Sequence, residues 1–251
     1  MRFSQKNIAY FTLGCVVTCL ASASLAAEKI VRPKSIQAHY EVTKNGQPFA
    51  NVKEQFTISG DQYKLESITK GIGVYALFGE RILTSEGSVT TDGLKPNHFE
   101  LHQGDNAKKS LFADFDWAKN TLTMTVKGKL KTATLTPGAQ DLASYAYQFM
   151  YIKQPFKDAV TVALTTGKKF NTYNYSIASE SVTINTTQDG ATTSYKTLQL
   201  TEHNAEANAA QNAERKSLWL SPTHYYLPVR ILLVDEDGQK LEQTLTSLHM
   251  E

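Results

Sequence analysis

The residues best suited to chemistry lie in one short stretch, His98-Phe99-Glu100-Leu101-His102. On a helix, two histidines four apart would share a face and could bind one zinc ion. Pro96 precedes the stretch, however, and its residues alternate, with Phe99 and Leu101 on one side and His98, Glu100 and His102 on the other. In a strand the two histidine Cα atoms would stand about 13 Å apart, at roughly 3.3 Å per residue, too far to chelate one ion together. The zinc-hydrolase pattern also needs a Glu directly after the first histidine, where this chain has Phe99. The expectation is a solvated strand face without a metal.

Gly71-Ile72-Gly73-Val74-Tyr75-Ala76 matches a loose dinucleotide fingerprint. That chemistry needs a buried strand before the glycines and a helix after them. Here Tyr63-Lys64-Leu65-Glu66 alternates with charges, and Gly79 interrupts the following stretch. No cofactor is expected. The run Val74, Tyr75, Ala76, Leu77 and Phe78 is more informative as an apolar loop. It either plugs the end of a sheet or serves as a gate or contact surface for an apolar ligand or a bilayer. Asp114 and Asp116 flank Phe115 and are expected to face water. There is no Gly-x-Ser-x-Gly elbow and no P-loop, and nothing in these patterns requires an enzyme.

The elements that must carry these residues are strands. Ile36, Ala38, Tyr40 and Val42 alternate with Gln37, His39 and Glu41, and Leu122, Met124 and Val126 alternate with threonines. The same period of two recurs at Val160-Val162-Leu164, at Tyr173-Tyr175-Ile177 and from Leu227 to Leu233. Such runs mark strands with one buried face. Asn45-Gly46, Gly60-Asp61, Asp92-Gly93, Gly104-Asp105, Asp189-Gly190 and Asp237-Gly238 supply the turns between strands. One segment has a different period: Leu142, Tyr145, Ala146, Phe149 and Met150 follow Asp141 at helical spacing, and Pro155 lies beyond. It predicts an amphipathic helix of about three turns over Asp141–Ile152, lying against the sheet. The Ala- and Asn-rich residues 203–214 read as an exposed insertion, so residues 27–251 are expected to form a single β-rich domain.

The first 26 residues read differently. Arg2 and Lys6 precede an apolar run from Ile8 to Leu20, followed by small residues up to Ala27. Ser24 and Ala26 occupy the −3 and −1 positions of a cleavage after Ala26, the pattern of a secretory signal peptide. An uncleaved anchor over Ile8 to Ala27 is the competing reading, and a lipid anchor at Cys15 or Cys19 fits poorly. Cleavage leaves 24 basic and 24 acidic residues and removes both cysteines, so export to the periplasm is the expectation. A neutral chain does not suit nucleic acid, and one without thiols excludes disulfides, thiolate catalysis and Cys-ligated zinc.

The order of several motifs resembles the bacterial exported family named domain of unknown function 3108. The matching pieces are Ser85-Glu86-Gly87, Leu94-Lys95-Pro96, Phe115-Asp116-Trp117, and Pro137 through Ser144. Trp219-Leu220-Ser221-Pro222 and Tyr226-Leu227-Pro228-Val229-Arg230 complete the set, over roughly residues 35–249. Thr223 stands where an acidic residue is expected. The resemblance implies a soluble periplasmic β protein with no established activity. By analogy of architecture it implies a curved antiparallel sheet or partly open barrel clasping a helix, as in lipoprotein carriers and lipocalins.

Taken together, these readings predict an all-β, non-enzymatic binding protein for an apolar or amphipathic envelope component. Its ligand would touch Trp117, Tyr145, Phe149, Trp219 and Arg230, with Val74, Tyr75, Leu77 and Phe78 as the gate. The alternative is an envelope interaction or assembly factor with a protein partner and no small ligand.

Overall fold

The computed structural model describes residues 32–105, 107–152, 159–188, 191–203 and 215–251. The expected leader, residues 1–26, lies outside the described residues, as does the expected insertion apart from His203. Arg32–Glu251 forms one compact unit.

Eight strands come first: β1 (Ser35–Lys44), β2 (Gln47–Ser59), β3 (Gln62–Gly71), β4 (Arg81–Thr90), β5 (Gly93–Gln103), β6 (Leu111–Asp116), β7 (Thr121–Val126) and β8 (Lys129–Thr134). A two-residue strand, β9 (Gln140–Asp141), leads into the helix α1 (Ser144–Gln148). Six more strands follow: β10 (Ala159–Thr165), β11 (Phe170–Gln188), β12 (Ala191–Glu202), β13 (Arg215–Ser221), β14 (Leu227–Val234) and β15 (Lys240–Met250). All join one open, curved sheet in the order β8 to β1, then β15 down to β9. Every pairing is antiparallel except that of β9 with β10. Each neighbour in the sheet is a neighbour in sequence except at the β1–β15 seam, where Ile36 pairs with Met250 and Lys44 with Leu241.

The curvature follows from the connection between the two edges. Flat, a sheet of fifteen strands would be about 67 Å wide at roughly 4.8 Å per strand. The chain leaves β8 at one edge and enters β9 at the other within the six steps from Thr134 to Gln140. Six steps reach at most about 21 Å. The sheet must therefore curl until its edges approach, and β9 and α1 are drawn into the concave side, against β5.

The alternation seen in the sequence becomes an inner and an outer face. Ile36, Ala38 and Tyr40 of β1 are buried while Gln37, His39 and Glu41 are exposed. Two apolar clusters result. One gathers Ile36, Tyr40, Phe56, Leu65, Phe99, Leu122 and Tyr147. The other packs Tyr145 and Phe149 against Leu164, Tyr175, Leu200, Leu218 and Leu220. Each large side chain so buried contributes about 1.5–3 kcal/mol.

The helix departs from expectation in two ways. Regular α-helix covers Ser144–Gln148 alone, extended by turns to Tyr151, so it is shorter than three turns. It is also buried on all sides: every residue from Ala143 to Tyr151 is buried, so no face of the segment meets water. The polar positions that would make a surface helix amphipathic are instead hydrogen-bonded within the fold. Gln148 Oε1 accepts from the Leu94 amide at 2.6 Å, and Tyr147 Oη donates to Glu54 Oε2 at 3.0 Å.

Candidate functional site

Among the described residues, the turn between β3 and β4 carries the largest concentration of exposed large apolar side chains. Gly73–Phe78 folds as a single 3-10 turn in which no residue is buried. Val74 is 72% exposed, Leu77 87% and Phe78 68%, with Ile72 at the base. Tyr75 alone turns inward, its ring 4.5 Å from that of Phe49. The turn is held at both ends. Ile72 donates its amide to Phe49 O at 2.9 Å, and Gln103 Nε2 donates to Phe78 O at 3.2 Å. An ion pair between Lys70 and Glu80, at 2.7 Å, closes its base. Gly71 permits this fold: a Cβ there would lie 2.3 Å from the Tyr75 carbonyl oxygen. The glycines that imitate a dinucleotide fingerprint thus serve a tight turn between antiparallel strands. All four expected gate residues sit here; three face solvent and Tyr75 pins the turn.

The five expected ligand residues fall into three separate places. Tyr145 and Phe149 belong to the helix segment and are buried in the second cluster. The Lys216 ammonium lies 4.8 Å above the Tyr145 ring, and Phe149 meets Tyr175 edge-on at 6.5 Å. Trp219 and Arg230 face each other across β13 and β14, with the guanidinium 5.0 Å over the indole. Arg230 also pairs with Glu242 of β15, so its charge is already met by a carboxylate. Trp117 lies apart, just after β6. It donates Nε1–H to Pro96 O at 2.6 Å, stacks on Phe115 and lies under Lys95. Trp117 lines an open groove, about 740 Å³ in volume, together with Asn97, Asp114 and Asp116. The structure thus distributes the five side chains over three places instead of bringing them to one.

The histidine stretch lies on the solvent side of β5, as its alternation implied. Glu100 bridges both imidazoles, with Oε1 2.8 Å from His98 Nε2 and Oε2 2.8 Å from His102 Nε2. Asp114 Oδ1 lies 2.6 Å from His98 Nδ1, and Ser110 Oγ 3.0 Å from His102 Nδ1. Partial burial opposes charge on His98, but hydrogen bonds to Glu100 and Asp114 outweigh it and raise the imidazole's pKa. Hydrogen bonds from the two histidines hold the Glu100 carboxyl below its usual range. The order Ser110–His102–Glu100 has the connectivity of a hydrolase relay. Ser110 itself is 8% exposed. Among the described residues no group of three or more His, Cys, Asp and Glu side chains is arranged to hold a metal.

A polar network that sequence reasoning missed lies inside. Asp141 is fully buried; its Oδ1 accepts from the amides of Ala143 and Ser144, at 2.9 and 2.8 Å. Its Oδ2 accepts from Ser85 Oγ at 2.5 Å, and Ser85 Oγ lies 2.9 Å from Tyr63 Oη. Burial pushes the Asp141 carboxyl up to about 6, against the pull of these hydrogen bonds. Gln140 Nε2 donates to Leu94 O at 2.8 Å, while Gln148 receives the Leu94 amide. Partly buried Glu54 accepts from Tyr147 and Ser67, and burial raises its carboxyl too. The motif residues Ser85, Leu94, Gln140, Asp141 and Ser144 therefore converge on one structural latch between the helix segment and the sheet. The capping potential of Asp141 was visible in sequence; its partner on β4, 56 residues away, was not.

A sequence model of a family described as "Protein of unknown function (DUF3108)" matches residues 36–246. No curated protein matches the chain. Among solved structures, the chain is similar to one described as "Crystal structure of MucB in complex with MucA(peri)". The identity is 9% and the TM-score 0.18, over 86% of this chain and 93% of that one. Among the described residues, no helix is long and apolar enough to cross a membrane.

Proposed function

We propose, from the premise that the chain belongs to the DUF3108 family, that it is an exported, non-catalytic binding protein for an apolar or amphipathic component of the cell envelope. One observation carries this reading: the β3–β4 turn holds Val74, Leu77 and Phe78 in water on a support braced by hydrogen bonds. Apolar side chains scattered singly on a surface need no explanation, whereas adjacent ones rimmed by polar groups mark a contact site. The contact is made by this outer turn, with the interior serving as scaffold. Tyr145 and Phe149 pack the helix segment against the sheet. Export through residues 1–26 to the periplasm would bring the turn to the envelope.

Photo-crosslinking tests the reading. With a photoreactive residue in place of Leu77, the protein should capture a lipid or another apolar envelope molecule, identified by mass spectrometry. The same residue placed at Asp61, exposed in the β2–β3 turn, should capture none. Equal labelling from both positions would remove the turn as the contact site.

A further inference from the structure

We propose that the β3–β4 turn, together with the lysines beside it on the same rim of the sheet, docks the protein on an anionic lipid bilayer. The inference rests on the reading above and names the partner.

The strand pairings place three loops side by side on one rim. The β5–β6 loop adjoins the apolar turn directly, since the Gly104 amide donates to Glu80 O at 2.7 Å. Leu111 pairs with Val126, which puts the β7–β8 turn next along the rim. These two neighbours present Lys108, Lys109, Lys127 and Lys129, all exposed, with Asp105 as the acidic residue described among them. Lys131 follows on β8, beside Leu130, which is itself 71% exposed. The opposite rim carries exposed Asp61 and Asp92 at the β2–β3 and β4–β5 turns, and Lys119, paired with Asp116, at the β6–β7 turn. The loops beside the apolar turn on its β5–β8 side are thus predominantly basic, and the exposed Glu236 and Asp237 of the β14–β15 turn lie on its other side, beyond the β1–β2 turn.

Shape favours a bilayer over a protein. Val74, Leu77 and Phe78 stand 68–87% exposed on a turn that projects between two strands, and a fluid interface receives such side chains without a complementary groove. Side chains such as Leu and Phe enter the headgroup–acyl boundary while neighbouring lysines meet anionic headgroups. The attraction adds to burial of the apolar side chains, so binding should need both and weaken with salt.

Flotation with vesicles tests the proposal, using the natively processed protein. Vesicles of phosphatidylglycerol and phosphatidylethanolamine should retain it at low salt, and phosphatidylcholine vesicles should retain about tenfold less or weaker still. Leu77→Asp with Phe78→Asp should abolish retention with no change in thermal melting, because both side chains are exposed. Lys127→Glu with Lys129→Glu should weaken retention and flatten its salt dependence. Both cysteines of the chain lie at positions 15 and 19, so Leu77→Cys gives the processed protein a single labelling site. An environment-sensitive fluorophore there should shift to the blue on anionic vesicles. Equal binding by the Asp variant, equal retention on neutral lipid, or an unshifted fluorophore would overturn the proposal. If Leu77 crosslinks to a single lipid or an apolar protein segment while vesicles retain nothing, the binding reading survives and the bilayer does not. If both fail, both readings fall.

Discussion

Asp141 shows how one side chain can link local structure to the whole fold. It caps the turn that starts the helix segment and receives Ser85 from β4, all away from water. Its carboxyl titrates at about 6 in the folded protein, against roughly 3.9 for an unperturbed Asp in the unfolded chain. Between those values the folded state holds the proton more tightly than the unfolded state does. This contribution to stability is therefore complete below about pH 4 and is lost as pH rises through about 6. The full swing is on the order of 2–3 kcal/mol, about 1.4 kcal/mol for each unit of difference. Urea denaturation at pH 4.5 and pH 7 should reveal it. Asp141→Asn keeps an acceptor for the two amides and removes the charge, so this component of the pH slope should disappear. An unchanged slope would mean that the carboxyl stays ionised, its hydrogen bonds offsetting the burial.

At the scale of the element, β4 carries the most telling motif. In Ser85-Glu86-Gly87, Ser85 reaches the buried latch and Glu86 reaches outward to Lys64 at 2.6 Å. Gly87 stands where β4 and β5 shift register, and a Cβ there would lie 2.2 Å from the Lys95 carbonyl oxygen. That atom is backbone held in the sheet and cannot swing aside. Gly87→Ala should therefore destabilise the protein by about 2–4 kcal/mol, within the range of severe packing mutations. The drop should appear as a lower urea midpoint with an unchanged slope. A midpoint equal to wild type would show that the register shift adjusts freely. The helix segment makes the complementary point. Helical spacing of apolar residues identified it, but the same spacing suggested a water-facing side that a chain enclosed by sheet does not have.

For the whole molecule, the decisive join is the seam between β1 and β15. It brings together strands more than 190 residues apart and unites two consecutive-strand meanders into one sheet. Closing so long a loop is unfavourable until the seam's contacts reward it, so folding should await the last strand. Deleting residues 240–251 removes β15 and leaves β1 and β14 with open edges. The shortened chain should lose its single cooperative melting transition and aggregate through those edges, as circular dichroism and size-exclusion chromatography would show. A cooperative melt at the wild-type temperature would mean that the clasped helix alone holds the halves together.

Strands, turns and the family signature were legible in the amino-acid sequence because each depends on near neighbours. A period of two reports one buried face of a strand, and Asn45-Gly46 or Gly60-Asp61 reports a turn, whatever lies beyond. The apolar run from Val74 to Phe78 was visible too, but as a choice between a plug and a contact surface. Tertiary structure decided that Val74, Leu77 and Phe78 stand in water while Tyr75 docks on Phe49. It also decided that Tyr145 and Phe149 fill a core, that Arg230 is engaged by Glu242, and that Trp117 borders a groove. Those outcomes depend on which surfaces meet when the sheet curls, as Glu54 meets Tyr147 across 93 residues of chain. Spacing along a sequence carries the period of an element, and the identity of its distant neighbour is set only when the sheet closes around it.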